Sequence, residues 1–173
     1  SDLTSLPVLP FLISSVNAYL DALEKEIDYT AAKFYHKHLN SIYIGGGTPT
    51  TLEPYQLDRL IRKIKCSFDL SDCLEFTVEA GRPDSITREK LEVLRKWGIT
   101  RISINPQTMQ QRTLDLIGRR HSVEQTVESF EIARELGFDD INMDLIMGLP
   151  EESLEDVRDT LEQIMQLKPD NLT

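Results

Sequence analysis

Cysteine and histidine are scarce in this sequence. Among 173 residues the only cysteines are Cys66 and Cys73, separated by six residues. A secreted scaffold held by disulfides carries a larger set, so that class is excluded, and we interpret both cysteines as structural. We also expect no histidine to bind a metal. His36 and His38 lie at a polar helix end and should be solvated, and His121 has no cysteine or histidine nearby.

Long apolar runs are absent as well. No run approaches the roughly 20 apolar residues that span a membrane as a helix. The apolar segment at residues 6–13 is short, contains proline and follows no basic residue, which is not the pattern of a signal peptide. We therefore expect a cytoplasmic protein without a membrane span.

Positive charge is in deficit. The chain has 29 acidic and 19 basic residues, for a formal net charge of −10. A nucleic-acid surface needs clustered lysine and arginine, so we expect no nucleic-acid partner. The densest basic run, residues 59–65, is interleaved with leucine and isoleucine, which indicates the solvent side of an amphipathic helix.

Two kinds of segment alternate along the chain. Runs rich in isoleucine, valine and phenylalanine indicate strands at residues 41–46, 74–80, 101–106, 140–148 and 170–173. Apolar residues three or four apart indicate helices at residues 16–27, 57–64, 88–98, 122–137 and 153–167. This alternation predicts an α/β domain with a parallel sheet.

That sheet has two possible closures, a (β/α) barrel and an open doubly wound sheet. A complete eight-fold barrel takes about 250 residues, and four or five strands in this chain fall short of it. The connections are short, and the last strand-like segment is cut by the end of the sequence. We expect residues 1–173 to be a fragment of a single domain.

The predicted carboxyl ends of the strands collect polar residues and glycines. Ligands of α/β proteins bind at this edge of the sheet. The residues at this edge are Gly45, Gly46, Gly47, Thr48, Glu79, Asn105, Gln107 and Asp144. The sequence therefore predicts a polar ligand site there.

Several of these residues also allow a purely structural interpretation. Glu79 could cap the next segment or pair with Arg82, and Gln107 could be a solvated loop residue. Asp144 lies in an apolar run and needs a partner if it is ionised, which a structural salt bridge could provide. Arg119 follows a glycine at a helix end, where a cation suits the helix dipole.

Three consecutive glycines follow the first strand, in the segment GGGTPT at residues 45–50. The segment lacks the third glycine of the dinucleotide-binding fingerprint and the Gly-Lys pair of a P-loop. Bare backbone instead lets a polar ligand such as an amino acid lie against the exposed N–H and C=O groups. A tight turn is the structural alternative, although one or two glycines would suffice for it.

Five segments together resemble the motifs of one family. They occur in the order GGGTPT, FTVEAGRPDSIT, RISINPQT, IGRRHS and NMDLIMGLP. As a set they resemble the oxygen-independent coproporphyrinogen III oxidase group of radical S-adenosylmethionine enzymes, over residues 15–173. The resemblance implies a partial (β/α) TIM-like barrel of six units, of which this chain carries four to five parallel strands.

The resemblance also implies a site for S-adenosylmethionine. The glycine segment would hold the methionine part, an acid would accept hydrogen bonds from the ribose, and an arginine would bind a carboxylate. An isoleucine would pack near the adenine. The implied residues are Gly45, Gly46, Gly47, Thr48, Glu79, Gln107, Arg119, Asp144 and Ile146.

Two features depart from the family's pattern. The family holds a [4Fe–4S] cluster with three cysteines spaced C-x₃-C-x₂-C, and the two cysteines here have the wrong spacing and follow the glycine motif. Asn105 also stands where the family has a glycine, two residues before the glutamine. Either the chain is truncated upstream or its ancestor lost the cluster. We expect truncation, and therefore an inactive fragment.

Three functions are compatible with these motifs. The resemblance implies an oxidoreductase that decarboxylates porphyrinogen propionates in haem biosynthesis, with a tetrapyrrole substrate and an electron donor as partners. A haem-binding delivery protein of the same group is the first alternative. The second does not use the resemblance, since Glu79 and Asp144 at strand ends could hold Mg²⁺ in a barrel lyase.

Overall fold

The computed structural model of the chain describes residues 8–173, with side chains from residue 14 onward. The side chains of residues 6–13 lie outside this part, so the interpretation of that segment stays a prediction. Within the described range, no helix combines the length and apolar character needed to cross a membrane.

Strands and helices alternate as the sequence predicts. The described residues form strands β1 (Ser41–Ile44), β2 (Glu75–Ala80), β3 (Arg101–Gln107), β4 (Ile141–Leu145) and β5 (Asn171–Leu172). The α-helices are α1 (Val8–Lys33), α2 (Pro54–Ser67), α3 (Arg88–Lys96), α4 (Gln111–Leu116), α5 (Val123–Glu135) and α6 (Leu154–Leu167). Short 3₁₀ helices follow β1 and β2, at Pro49–Thr51 and Pro83–Ser85.

The order of the strands decides between the two predicted closures. All five strands are parallel, and each pairs with the next one along the chain, in the order β1-β2-β3-β4-β5. A doubly wound sheet would reverse its strand order at a switch point. The sequential order is instead that of a (β/α) barrel segment, so the predicted partial barrel is confirmed.

The alternation of side chains along the strands separates two faces of the sheet. One face is apolar and packs against α2, α3, α5 and α6 in a single core cluster. The strand residues in this core are Phe76, Val78, Ile102, Ile104, Ile141 and Met143. The opposite face carries the polar residues of the same strands, which positions them away from the helices.

Local signals at the helix ends explain where the helices begin and stop. Ser122 and Gln125 form a reciprocal capping box at the start of α5, with hydrogen bonds of 3.2 and 2.9 Å. Gly98 and Gly137 follow α3 and α5 with φ of +72° and +83°, where glycine carries no steric penalty. These predicted boundaries are confirmed.

The basic run at residues 59–65 differs from its prediction. It lies on α2, but part of its charge faces the acidic side of α1 and not solvent. Arg59 Nε donates to Glu24 Oε1 at 2.7 Å, and Lys63 pairs with Asp28. The ion pairs between the two helices were not predictable, because the sequence pattern of one helix does not reveal its neighbour.

Candidate functional site

The carboxyl ends of the strands meet at one edge of the sheet. In the strand register Ile44 lies beside Val78, Ala80 beside Ile104, and Gln107 beside Leu145. Because the strands are parallel and in this register, the segments that follow them lie side by side at the same edge. Every site residue predicted from a strand end therefore lies at or just beyond this edge.

The geometry of the edge itself favours glycine at positions 45 and 46. A Cβ on Gly45 would lie 2.2 Å from Tyr43 Cε1 and 2.9 Å from Glu79 Oε2, so both side chains would have to move to accommodate it. Gly46 has φ of +105°, a conformation that only glycine adopts readily. Its N–H donates to Glu79 Oε2 at 3.3 Å.

Gly47 has no such structural reason. Its φ is not positive, and a Cβ on it would meet nothing within 4 Å. Thr48 then starts the 3₁₀ helix at Pro49–Thr51, and its carbonyl accepts the Thr51 hydroxyl at 2.7 Å. Close contacts and a positive φ account for Gly45 and Gly46, and Gly47 leaves bare, exposed backbone at the edge of the sheet.

Glu79 points toward the glycine segment and not toward Arg82. Its Oε2 accepts hydrogen bonds from the Tyr43 hydroxyl and the Gly46 N–H, both at 3.3 Å, and its Oε1 accepts from Asn105 Nδ2 at 3.5 Å. Arg82 binds Asp84 at 2.7 Å instead. The pairing of Glu79 with Arg82 is therefore wrong. Donors from β1, the glycine segment and β3 hold its carboxylate instead.

Asp144 is half-buried at the end of β4. Its Oδ1 accepts a hydrogen bond from Asn142 Nδ2 at 2.6 Å. The partner is an amide and not the cation that a structural salt bridge requires. Burial is the main cause of the raised pKa of Tyr43, and the charges of Glu79 and Asp144 raise it further. Both carboxylates therefore lie close enough to the Tyr43 hydroxyl to affect its ionisation.

Gln107 is buried at the end of β3, so its interpretation as a solvated loop residue is wrong. Its φ is +69°, uncommon for a residue with a side chain. The backbone there departs from regular strand pairing between Ile104 and Gln107. The Gln107 carbonyl accepts the N–H of Ile146 at 2.8 Å, and the Ile146 side chain is 42% exposed.

Arg119 lies in the loop between α4 and α5, after a glycine with φ of +70°. It is half-buried, and its N–H donates to the Leu114 carbonyl at 2.9 Å, which closes α4. Its charge helps to lower the pKa of His121, two residues further on. Arg119 is therefore the one candidate residue that comes from a helix end and not from a strand or the segment after it.

His121 is a residue whose role the sequence did not reveal. It is only 1% exposed, and its Nε2 donates to the Pro106 carbonyl at 3.2 Å. Burial is the main cause of its lowered pKa. The bond ties the α4–α5 loop to the residue before Gln107. By contrast, His36 and His38 are exposed, as predicted.

The opposite edge of the sheet carries charges that are already paired. Arg101 at the start of β3 lies 3.6 Å from Glu75 and 3.8 Å from Asp140. The carboxylates at the carboxyl edge, in contrast, receive hydrogen bonds only from neutral donors in the contacts described above. The carboxyl edge is therefore the better candidate for a polar ligand.

A cavity of about 710 Å³ lies between α1, α2 and β1 and reaches the glycine segment. Its lining is mainly apolar and includes Leu20, Leu23, Ile42, Ile44, Leu60 and Ile64. The side chains of Ile42 and Ile44 belong to the helix-covered side of the sheet. The cavity shares Gly45, Gly47 and Thr48 with the candidate site, whereas Glu79, Gln107 and Asp144 are not among its lining residues.

The residues that the structure describes do not fit an iron–sulfur cluster or a magnesium centre. Cys66 is exposed on α2, and the Sγ of Cys73 donates to the Glu75 carbonyl at 3.3 Å. Among the described residues, no group of three or more His, Cys, Asp or Glu side chains could hold a metal ion. Glu79 and Asp144 therefore gain no support as magnesium ligands.

Comparison with known proteins gives a direct family assignment. The sequence model of the radical SAM superfamily matches residues 17–164. The chain belongs to the radical SAM superfamily. Members of this superfamily use S-adenosylmethionine and a [4Fe–4S] cluster.

Within the radical SAM superfamily the chain is similar to the coproporphyrinogen III oxidase-like group. It is 48% identical over 136 residues to the oxygen-independent coproporphyrinogen-III oxidase-like protein HemZ of Bacillus subtilis. It is 42% identical over 156 residues to the heme chaperone HemW of the same species. The solved structure of coproporphyrinogen III oxidase from Escherichia coli superimposes with a TM-score of 0.84 at 34% identity.

These relatives are much longer than this radical SAM chain. The matches cover 78% of the chain but 27% of HemZ, and 88% of the chain but 40% of HemW. The match to the Escherichia coli structure covers 91% of the chain and 37% of the enzyme. The similarity therefore concerns the barrel segment and its sheet edge.

Proposed function

We propose that the carboxyl edge of the sheet binds S-adenosylmethionine. The observation that carries the proposal is the exposed bare backbone at Gly47 beside a carboxylate held by neutral donors, Glu79. An amino-acid moiety can use the backbone N–H and C=O groups, and ribose hydroxyls can donate to carboxylates. The site fits the chemistry of this cofactor.

Each residue of the site has a proposed role. The glycine segment and Thr48 contact the methionyl part, and the acids and Gln107 bind the ribose and methionyl groups. Arg119 offers a cation for the carboxylate, where an arginine can bind through two hydrogen bonds. Ile146, with its exposed side chain, packs near the adenine. The complete set is Gly45, Gly46, Gly47, Thr48, Glu79, Gln107, Arg119, Asp144 and Ile146.

Bound S-adenosylmethionine supplies the radical chemistry for which the family is named. The chain's contribution is to hold and orient the cofactor. Because the sequence has two cysteines and no three-cysteine motif, we infer that a longer protein provides the cluster ligands. The extra length of the relatives supports this inference. Without these ligands we expect the 173-residue chain to be inactive by itself.

For the whole protein we propose oxidative decarboxylation of porphyrinogen propionates in haem biosynthesis, in the cytoplasm and with an external electron donor. The similarity to the Escherichia coli coproporphyrinogen III oxidase supports this activity. Haem delivery is the second candidate, and the 42% identity to a heme chaperone favours it. The motifs shared by both groups concern the cofactor, and they do not separate the two functions.

The test uses the full-length protein, purified anaerobically and reconstituted with iron and sulfide. We expect the EPR signal of a reduced [4Fe–4S] cluster, changed by added S-adenosylmethionine. Loss of carbon dioxide from coproporphyrinogen III would then support the oxidase, and stable haem binding without decarboxylation would support the carrier. Absence of any cluster would contradict the radical function.

A further inference from the structure

A chain of hydrogen bonds joins the two carboxylates of the candidate site. It starts at Glu79 on β2, whose Oε1 accepts from Asn105 Nδ2 at 3.5 Å. Asn105 Oδ1 accepts from the Ser103 hydroxyl at 2.8 Å, and that hydroxyl accepts from Asn142 Nδ2 at 2.9 Å. Asn142 Nδ2 also donates to Asp144 Oδ1 at 2.6 Å.

The register of the sheet explains why these side chains meet. Glu79 lies beside Ser103 and Ser103 beside Asn142, in one row across β2, β3 and β4. Asn105 and Asp144 follow two residues later on their strands and therefore point to the same face. The three linking residues, Ser103, Asn105 and Asn142, are each only 5% exposed.

Burial makes the direction of these bonds important. A buried amide has fixed donors and acceptors, and leaving one unpaired is costly. In this chain the Asn105 Oδ1 accepts from serine, so its NH₂ group is directed toward Glu79. A glycine, the residue that the resembling family has at this position, would offer Glu79 no donor from β3.

We propose that Asn105 is a positioning residue that holds the Glu79 carboxylate for S-adenosylmethionine and couples it to Asp144. This inference rests on the proposed function. Asn105 does not contact the cofactor in this account. It sets the orientation of Glu79 and leaves the outer lone pairs of the carboxylate free for the ligand.

The decisive variant is Asn105→Asp, because it changes the volume of the side chain very little. The new carboxylate still accepts from Ser103, but it replaces the donor facing Glu79 with an oxygen. Two adjacent carboxylates do not both ionise easily, so the pKa of one is raised. Protonation then restores a donor between them, so the defect should be relieved at lower pH.

The measurement is calorimetric titration of S-adenosylmethionine into the full-length protein, purified anaerobically and reconstituted with iron and sulfide, at pH 7.0 and 5.5, with each variant compared with wild type at the same pH. We expect Asn105→Asp to bind about tenfold more weakly at pH 7.0, since hydrogen bonds to charged groups have this order of effect, and to recover most of the loss at pH 5.5. Besides Glu79, the charged groups that act on its partner Tyr43 are Asp144 and Arg101. They are present in every variant.

Two further variants make the outcome specific. Asn105→Gly removes the donor without adding charge, and it should weaken binding to a similar extent at both pH values. Asn40→Asp makes the same change of charge at an exposed residue before β1, and its affinity should remain within twofold of wild type. Thermal unfolding of each variant shows whether it is folded under the titration conditions.

The outcomes separate this inference from the proposed function. If wild type binds no S-adenosylmethionine, the proposed function is wrong, and the role of Asn105 falls with it. If wild type binds and both Asn105→Asp and Asn105→Gly bind as tightly as wild type, only the inference about Asn105 is contradicted. A loss in Asn105→Asp that is the same at both pH values contradicts the carboxylate pairing on which the inference depends.

Discussion

Gly45, Gly46 and Gly47 are adjacent in sequence but differ in what a side chain would meet. The first approaches the Tyr43 ring and the Glu79 carboxylate, the second has a positive φ, and the third has open space around it. Local geometry therefore favours glycine at two of them. At the third we propose that a ligand, and not the fold, accounts for glycine.

Alanine substitutions at Gly46 and Gly47 can distinguish a glycine needed for the backbone conformation from one that is not. Gly46→Ala should lower the free energy of unfolding by roughly 1–3 kcal/mol, because alanine is strained at this φ. Gly47→Ala should change it by less than about 0.5 kcal/mol, as expected for an exposed site without special geometry. Urea unfolding measures both changes.

The Gly47→Ala variant also tests whether a ligand binds at the glycine segment. Gly47→Ala should weaken binding of S-adenosylmethionine although its stability is unchanged, because the added methyl group occupies the approach to the backbone. Calorimetric titration of the folded variant gives the affinity. Wild-type affinity in Gly47→Ala would contradict the role given to this glycine.

At the scale of elements, the end of β3 depends on a residue from another part of the chain. His121 in the α4–α5 loop donates to the Pro106 carbonyl and so holds the backbone just before Gln107. The histidine is buried, and Asp84, Arg119 and Arg82 are the charged groups that affect its pKa. This contact connects α4 and α5 to the sheet edge.

The lowered pKa of His121 predicts a pH dependence of stability. Because the unfolded state binds a proton more readily than the folded state, the contribution is complete above about pH 6.5 and is lost as the pH falls toward the lowered pKa. Between pH 7.5 and 5.5 the loss is at most about 1.4 kcal/mol, the equivalent of one pKa unit.

The variant His121→Gln keeps a donor for the Pro106 carbonyl but does not titrate. Its free energy of unfolding should fall less than that of wild type between these two pH values, as measured by urea unfolding. His36→Gln, at an exposed histidine, is the control and should behave like wild type. An equal fall in wild type and His121→Gln would contradict the account of this contact.

The elements also show what the sequence could predict. Strand and helix positions followed from residue type and periodicity, and the capping box at Ser122 fixed the start of α5. The six-residue α4 was missed because it is too short to show a period. Burial of Gln107 and His121 was missed because both depend on contacts between segments far apart in the chain.

At the scale of the whole molecule, the two faces of the sheet have different roles: one packs in the core and the other carries the candidate site. The apolar side chains of its strands form the core with the helices, and the polar side chains of the same strands lie on the other face. The sequence identified the acids at the strand ends. It did not identify the bonds between Glu79, Asn105 and Asn142, since these require the register of three strands.

The central claim is that this sheet edge binds S-adenosylmethionine, and titration of the ligand into wild type, Glu79→Gln and Glu75→Gln tests it most directly. Both glutamates lie on the same face of β2, but Glu75 is at the opposite edge beside Arg101. We predict that wild type binds, that Glu79→Gln binds about tenfold more weakly, and that Glu75→Gln stays within about twofold of wild type. No binding by wild type, or equal affinities of the two variants, would contradict the account.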